Sequence, residues 1–351
     1  MRLDKLLFHC AYPRSPKEIR QSEAALRKIR PEEPIDTKFS WDIARWLTRR
    51  FPGTATIDWE DWEDDDRLAA VLTPLIPELR ERIVDANVPY LDYAKAKRLE
   101  WYLDRLPPVT FDLLGLWILW KTPVEFSRAH LRRMPLELFF DKTIIPRREV
   151  SIGRELASPP LPTRRLPRDE GEAALDAARA VLAVRYRELY VPTFGDPSTV
   201  ISANAGRGLE IVLFGVLPEK RLPVRAGYAP FFFRNGVPVG YGDAFVIKDR
   251  IEVSFNIFPE FRDGESAWIF ARLLKLYRQL FGSTIFTIDP YQLGLGNDEA
   301  IESGAFWFYR KLGFRPMDPA IERLARAEEK RKRRSSAATL RKLGASALRY
   351  P

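Results

Sequence analysis

Apolar positions follow two different periods along the chain. In the first 150 residues they recur at helical spacing, as in Trp41, Ile43, Ala44, Trp46 and Leu47. Leu68, Val71, Leu72, Leu75, Leu79 and Ile83 repeat that spacing, although Pro74 and Pro77 must bend or divide the stretch. Leu113 to Trp120, bracketed by Asp112 and Lys121, is the longest apolar run and predicts a buried helix. It falls far short of the roughly 20 residues a membrane span needs. The segment SPPLPTRRLP, residues 158–167, holds four prolines and predicts an extended linker. After it the pattern changes. Residues 170–189 are Ala-rich and helical in pattern, and then strand signals follow at 210–216, 228–234 and 237–246. The last two flank Asn235-Gly236, a strong hairpin signal because both residues tolerate positive φ. Ile251, Val253, Phe255 and Ile257 alternate with Glu252, Ser254 and Asn256, which predicts a strand with one apolar and one polar face. A helix at 264–281, a short strand at 284–288 and a helix at 299–312, closed by Gly313, complete the order.

The expected architecture is therefore α/β of the α+β kind. Residues 1–157 form a mainly helical domain, 158–168 a linker, 169–317 a mixed, mostly antiparallel sheet with helices, and 318–351 a basic helical or flexible tail.

Composition narrows the chemistry. The chain has 351 residues, a net charge of +9, one cysteine and two histidines. A lone Cys10 cannot form an internal disulfide, which fits a reducing compartment. His9 and His130 cannot build a His-rich metal site, so no metal is expected. The apolar stretch Leu6 to Phe8 is too short for a signal-peptide core, and a cytoplasmic location without membrane contact is expected. Ten basic residues and three acids lie between Ile321 and Pro351, so +7 of the +9 belongs to the last 31 residues. Within them the run KRKRR, residues 330–334, is a candidate nucleic-acid contact, against the plainer reading of a solvated tail.

Seven of the nine tryptophans lie before residue 121 and read mainly as core. The run from Asp58 to Asp66 carries seven carboxylates in nine residues. Its spacing follows no ligand pattern, and a solvated loop leading into a helix start accounts for it.

Two local motifs resemble the GNAT superfamily of CoA-dependent N-acyltransferases. FPEFRDGESAWIFARLL, residues 258–274, is similar to the superfamily's strand-to-helix junction, with its Q/R-x-x-G-x-G/A signature. NDEAIESGAFWFYRKLGFRP, residues 297–316, is similar to its late helix, and the ending FYRKLGF is the more specific part. The resemblance covers residues 170 to about 317. It implies a helix start whose unpaired N–H groups and positive dipole end hold the pyrophosphate of acetyl-CoA or another acyl-CoA. Arg262 aligned with Q/R puts Ala267 on the final G/A and Glu265 on the first Gly. Shifted by one residue, Gly264 takes that Gly and Ser266 the final position. Glu265 at this helix start would repel a pyrophosphate by roughly 4 kcal/mol per charge pair at 4 Å.

The resemblance also implies roles for single residues. Glu252 is the candidate base that takes the amine proton, against a solvent-facing strand position. Ser254 and Asn256 share its face and are candidates to position substrate. Tyr309 falls on the late-helix Tyr that serves as acid toward the CoA sulfur, against a core position. Asn297 matches an Asn that contacts CoA, with helix N-capping as an equal reading. Asp289, Tyr291 and Gln292 lie where the groove for the acceptor opens. The function implied is transfer of an acyl group, expected to be acetyl, to an amine of unknown type on a small molecule or peptide. The alternative is a catalytically degenerate GNAT-like module that binds a ligand or protein. Homo-oligomerisation stays open.

Overall fold

The computed structural model describes residues 3–30, 33–60, 62, 64–75, 90–331 and 333–351. They divide into two compact units. One comprises Ile29–Leu131 with Ala177–Thr193, and the other Met1–Lys28, Arg132–Asp176 and Phe194–Pro351. The division therefore does not fall at the proline-rich segment. No described helix is long and apolar enough to cross a membrane.

The smaller unit is not purely helical. Strands β1 (Ile35–Thr37), β2 (Ala55–Asp58) and β3 (Trp117–Trp120) form an antiparallel sheet in the order β1-β3-β2. The apolar run Leu113–Trp120, expected as a helix, is split instead. Helix Pro108–Leu114 stops at Gly115, whose φ of 66° is left-handed, and β3 follows. Ile118 and Trp120 are buried while Trp117 and Leu119 are only half-buried, a period of two that fits a strand. Leu113 is 69% exposed. Helix Trp41–Arg50 forms as expected, with Ser40 as N-cap accepting from the N–H of Ile43. It buries Ile43, Ala44 and Leu47, and the Trp46 ring lies 6.4 Å from that of Trp120. The second helical stretch yields helix Asp65–Leu72, capped by Asp64. Leu79 and Ile83, and Asp61 and Glu63 of the acidic run, lie outside the described residues. Asp64 of that run caps the helix and pairs with Arg67 (2.7 Å), which is the local role expected of acids at a helix start.

Among its described residues the larger unit holds a nine-stranded sheet. Its strands are β4 (Thr163–Arg165), β5 (Ile201–Gly206), β6 (Leu209–Gly215), β7 (Ala226–Arg234), β8 (Val237–Ile247), β9 (Arg250–Ile257), β10 (Ile285–Ile288), β11 (Arg315–Pro316) and β12 (Leu348–Tyr350). Their order is β11-β12-β10-β9-β8-β7-β6-β5-β4. Every pair is antiparallel except β9–β10, which is parallel and joined by helix Ser266–Phe281. Asn235-Gly236 makes the β7–β8 turn, with φ of 47° and 79°. Gly236 is required twice over, because a Cβ there would stand 2.1 Å from the Arg133 carbonyl oxygen.

Two boundaries differ from expectation. Residues 158–168 are not a free linker, because β4 within them pairs with β5 through Arg164↔Ser202 and its neighbours. Residues 318–351 are not a tail, because β12 lies between β10 and β11 and hydrogen-bonds to both. The N-terminal residues 3–28 and 132–157 likewise belong with the large sheet. Asn235 Nδ2 donates to the carbonyls of Ala11 and Phe139 (2.9 Å each), and Arg133 grips the buried Glu210 (2.9 Å).

Packing on this sheet is aromatic. Helix Ser266–Phe281 buries Trp268, Ile269, Phe270, Leu273, Leu274 and Tyr277, and ends at left-handed Gly282. The Phe270 ring meets Phe255 of β9 at 5.1 Å. Burying each such side chain contributes about 1.5–3 kcal/mol. The helix expected at 299–312 is interrupted. Left-handed Gly304 (φ 67°) separates helix Asp298–Ser303 from helix Ala305–Lys311, and Gly313 (φ 107°) follows the second.

Candidate active site

β9 and β10 hold together over three positions only, Arg250–Glu252 against Ile285–Thr287. Beyond them β9 runs on to Ile257 while β10 stops at Ile288. Where a parallel pair parts at its carboxyl ends, an α/β sheet leaves room for a ligand. A cavity of about 1260 Å³ lies there, lined by Phe255, Asn256 and Ile257 of β9, by Arg262, Gly264, Ser266 and Ala267 of the turn into the long helix, and by Gly304, Ala305, Trp307, Phe308 and Tyr309. Its volume exceeds the roughly 300–1000 Å³ of ordinary small-molecule pockets and suits an extended ligand.

The N-terminus of helix Ser266–Phe281 opens on this cavity. Its first in-register bond runs from the Ile269 N–H to the Glu265 carbonyl. No side chain caps it, and among the described residues the N–H groups of Ser266, Ala267 and Trp268 have no acceptor. Two of these donors, on the lining residues Ser266 and Ala267, and the positive end of a 16-residue helix border the space, an arrangement suited to an anion.

Glu265, expected to block that end, is turned away from it. Its carboxylate is fully buried and accepts from Arg207 Nη2 (2.7 Å), Arg234 Nη2 (3.1 Å) and the Ile145 N–H (3.0 Å). Asp141 shares both arginines, at 2.9 Å from Arg207 and 2.7 Å from Arg234. The Arg234 guanidinium lies over the rings of Tyr12 (5.1 Å) and Phe139 (5.3 Å). Burial, together with the Glu265 charge, pushes the Asp141 carboxyl up to about 6 against the pull of the arginines. The close approach at Gly264 is made by protein: a Cβ there would stand 2.5 Å from the Tyr12 ring.

Tyr309 is buried in ring contacts with Phe270 (5.4 Å) and Phe314 (5.9 Å), yet it lines the cavity, and its hydroxyl has no hydrogen-bond partner among the described residues. Burial raises its pKa well above the ordinary tyrosine value, so it keeps its proton at neutral pH.

Of the candidates from sequence, Asn256, Arg262, Gly264, Ser266, Ala267 and Tyr309 line this one cavity. Arg262 pairs there with Glu299 (2.8 Å), and Asn256 Nδ2 donates to Tyr241 Oη (2.8 Å). The others lie outside its lining. Glu252 sits where β9 and β10 are still paired and faces Arg225 at 3.8 Å, so as a base it is displaced from the cavity by the strand length that follows. Ser254 Oγ accepts the Asp243 N–H. Asn297 is an N-cap, accepting from the Ala300 N–H (3.2 Å), and Asp289 likewise accepts from the Tyr291 N–H (2.8 Å). Tyr291 is exposed and Gln292 half-buried, and neither reaches the lining. Neither histidine lines the cavity: His9 meets Glu18 and His130 meets Ser127. Among the described residues there is no group of three His, Cys, Asp or Glu that could hold a metal.

The sequence pattern did not single out Asp243. It pairs with Ser254 across β8 and β9, two residues from the Tyr241 that holds Asn256. It is half-buried, and desolvation raises its carboxyl to about 6 from an ordinary 3.8. A folded-state pKa above the unfolded one means that its contribution to stability is complete below about pH 4 and is lost as pH rises through about 6. Asp243→Asn removes that loss. In urea unfolding it is expected to gain about 2 kcal/mol on the wild type between pH 4 and pH 8. A difference that does not change with pH contradicts this environment for Asp243.

Compared with known proteins, the chain matches no protein-family model, no curated protein and no solved structure.

Proposed function

We propose that the larger unit is a CoA-dependent N-acyltransferase that moves an acyl group, acetyl in the simplest case, from the thioester to an amine. The observation carrying this reading is convergence. The two GNAT-like motifs lie apart in sequence, yet Arg262, Gly264, Ser266 and Ala267 of the first and Gly304, Ala305, Trp307, Phe308 and Tyr309 of the second border the same cavity where β9 leaves β10. An uncapped helix start in that wall suits the donor's pyrophosphate, and the turned-in Glu265 keeps its own carboxylate away from that end.

The chemistry follows from these groups. The neutral amine attacks the thioester carbonyl, the C–N bond forms, the C–S bond breaks, and the sulfur leaves as thiolate. Tyr309 holds an O–H at the cavity wall that stays protonated and donates to the developing thiolate, the interaction that gains most as charge appears. With Glu252 held near Arg225 outside the lining, the amine proton leaves through solvent in the open cavity. Asn256, fixed by Tyr241, offers a carbonyl oxygen at the end of β9 that can orient the amine.

The test is thiol release from acetyl-CoA against a panel of amines. Wild type is expected to release CoA with at least one amine class, and Tyr309→Phe to lower kcat about 10²-fold with KM for the donor nearly unchanged. Wild-type release that Tyr309→Phe leaves intact contradicts the role of the hydroxyl. No release with any amine contradicts the activity and favours a binding module.

A further inference from the structure

The connection between β11 and β12 runs from Met317 to Ala347, 31 residues where an ordinary hairpin uses about 2–5. It carries helix Pro319–Glu329, the basic run and helix Ala337–Leu343. It is pinned to the cavity wall. Buried Arg310, on helix Ala305–Lys311, binds Glu329 (2.8 Å) and Glu322 (2.5 Å) of the first helix of the excursion. Arg331 is consumed by Glu328, which also accepts from Ser335 Oγ (3.1 Å). The next two described basic residues, Arg333 and Arg334, line the cavity and have no acidic partner among the described residues. Arg147 and Lys311 line it in the same unpaired state, and Glu302 is the one unpaired acid among the described lining residues. The cavity lining therefore carries unpaired positive charge on elements other than the helix start.

A cavity of about 1260 Å³ with anion-favouring groups on two different elements suits a ligand with two separate phosphate groups. We propose that Arg333 and Arg334 bind a phosphomonoester on the donor's ribose, so that the enzyme takes its acyl group from free acyl-CoA and discriminates against donors lacking that phosphate, such as pantetheine thioesters on carrier proteins. The inference rests on the acyl-CoA reading of the cavity and adds donor selection to it. The basic run, which in sequence suggests nucleic acid, is thereby assigned to a small nucleotide. Planar guanidinium forks match a phosphate in two-bond geometry, and neither arginine must break an existing ion pair to do so.

The experiment is calorimetric titration of the full chain with acetyl-CoA and with acetyl-dephospho-CoA, which differs only in the missing ribose phosphate. Wild type is expected to bind acetyl-CoA roughly 10- to 100-fold more tightly. In the double variant Arg333→Ala/Arg334→Ala that preference falls to about onefold, while affinity for the dephospho form stays within about twofold of wild type. Both arginines are exposed and have no acidic partner among the described residues, so an unchanged melting temperature verifies that the fold is intact. Equal wild-type affinity for the two forms overturns the inference and leaves the donor reading standing, as does a double variant that weakens both forms alike. Binding of neither form overturns the donor reading and this inference with it.

Discussion

Arg234→Met is expected to destabilise the protein by about 3–5 kcal/mol, measured by urea unfolding at neutral pH. The side chain is fully buried and bridges Asp141 and Glu265, whose own side chains are 3% and 0% exposed. Methionine fills most of the volume but leaves two buried carboxylates sharing Arg207 alone, which is 26% exposed. Removing one member of a buried ionic group costs more than the group contributed, because the remaining charge stays desolvated. Among the described residues Arg234 Nε and Nη1 have no acceptor, so the wild-type cluster is itself imperfectly satisfied. Glu265 is the residue this cluster keeps away from the helix end, so Arg234→Met is also expected to weaken donor binding. A cost below about 1 kcal/mol contradicts the account of the cluster.

Ser266→Asp is expected to weaken acetyl-CoA binding about 10³-fold without lowering the melting temperature. The two effects separate because the same charge acts with opposite signs. A carboxylate in the first helical turn interacts favourably with the helix dipole, by about 0.3–1 kcal/mol. Toward a pyrophosphate about 4 Å away it is repulsive by roughly 4 kcal/mol per charge pair. Ser266 borders the cavity and its N–H has no acceptor among the described residues, so no interaction among them is lost. Binding unchanged in a folded variant would mean that the anion does not sit at this helix start.

The parts of the fold legible in sequence are those whose signal is local. Strict alternation from Ile251 to Ile257 marked β9, and Asn235-Gly236 marked the β7–β8 turn, because period-two burial and positive φ need only neighbouring residues. β12 was invisible. It is three residues long, lies at the end of a basic stretch and owes its conformation to pairing with β10 and β11. Leu113–Trp120 failed for a related reason: a short apolar run does not declare its period, and Gly115 decided it. The site was legible as two motifs, and the structure joins them. The direction of Glu265 was not, because its partners Arg207 and Ile145 lie 58 and 120 positions away in the chain and no local pattern connects them.

Calorimetric titration of the wild-type chain with acetyl-CoA tests the central claim most directly. The account predicts saturable one-to-one binding with a Kd of about 100 μM or tighter. A flat response up to millimolar acetyl-CoA, in protein shown to be folded, would contradict it.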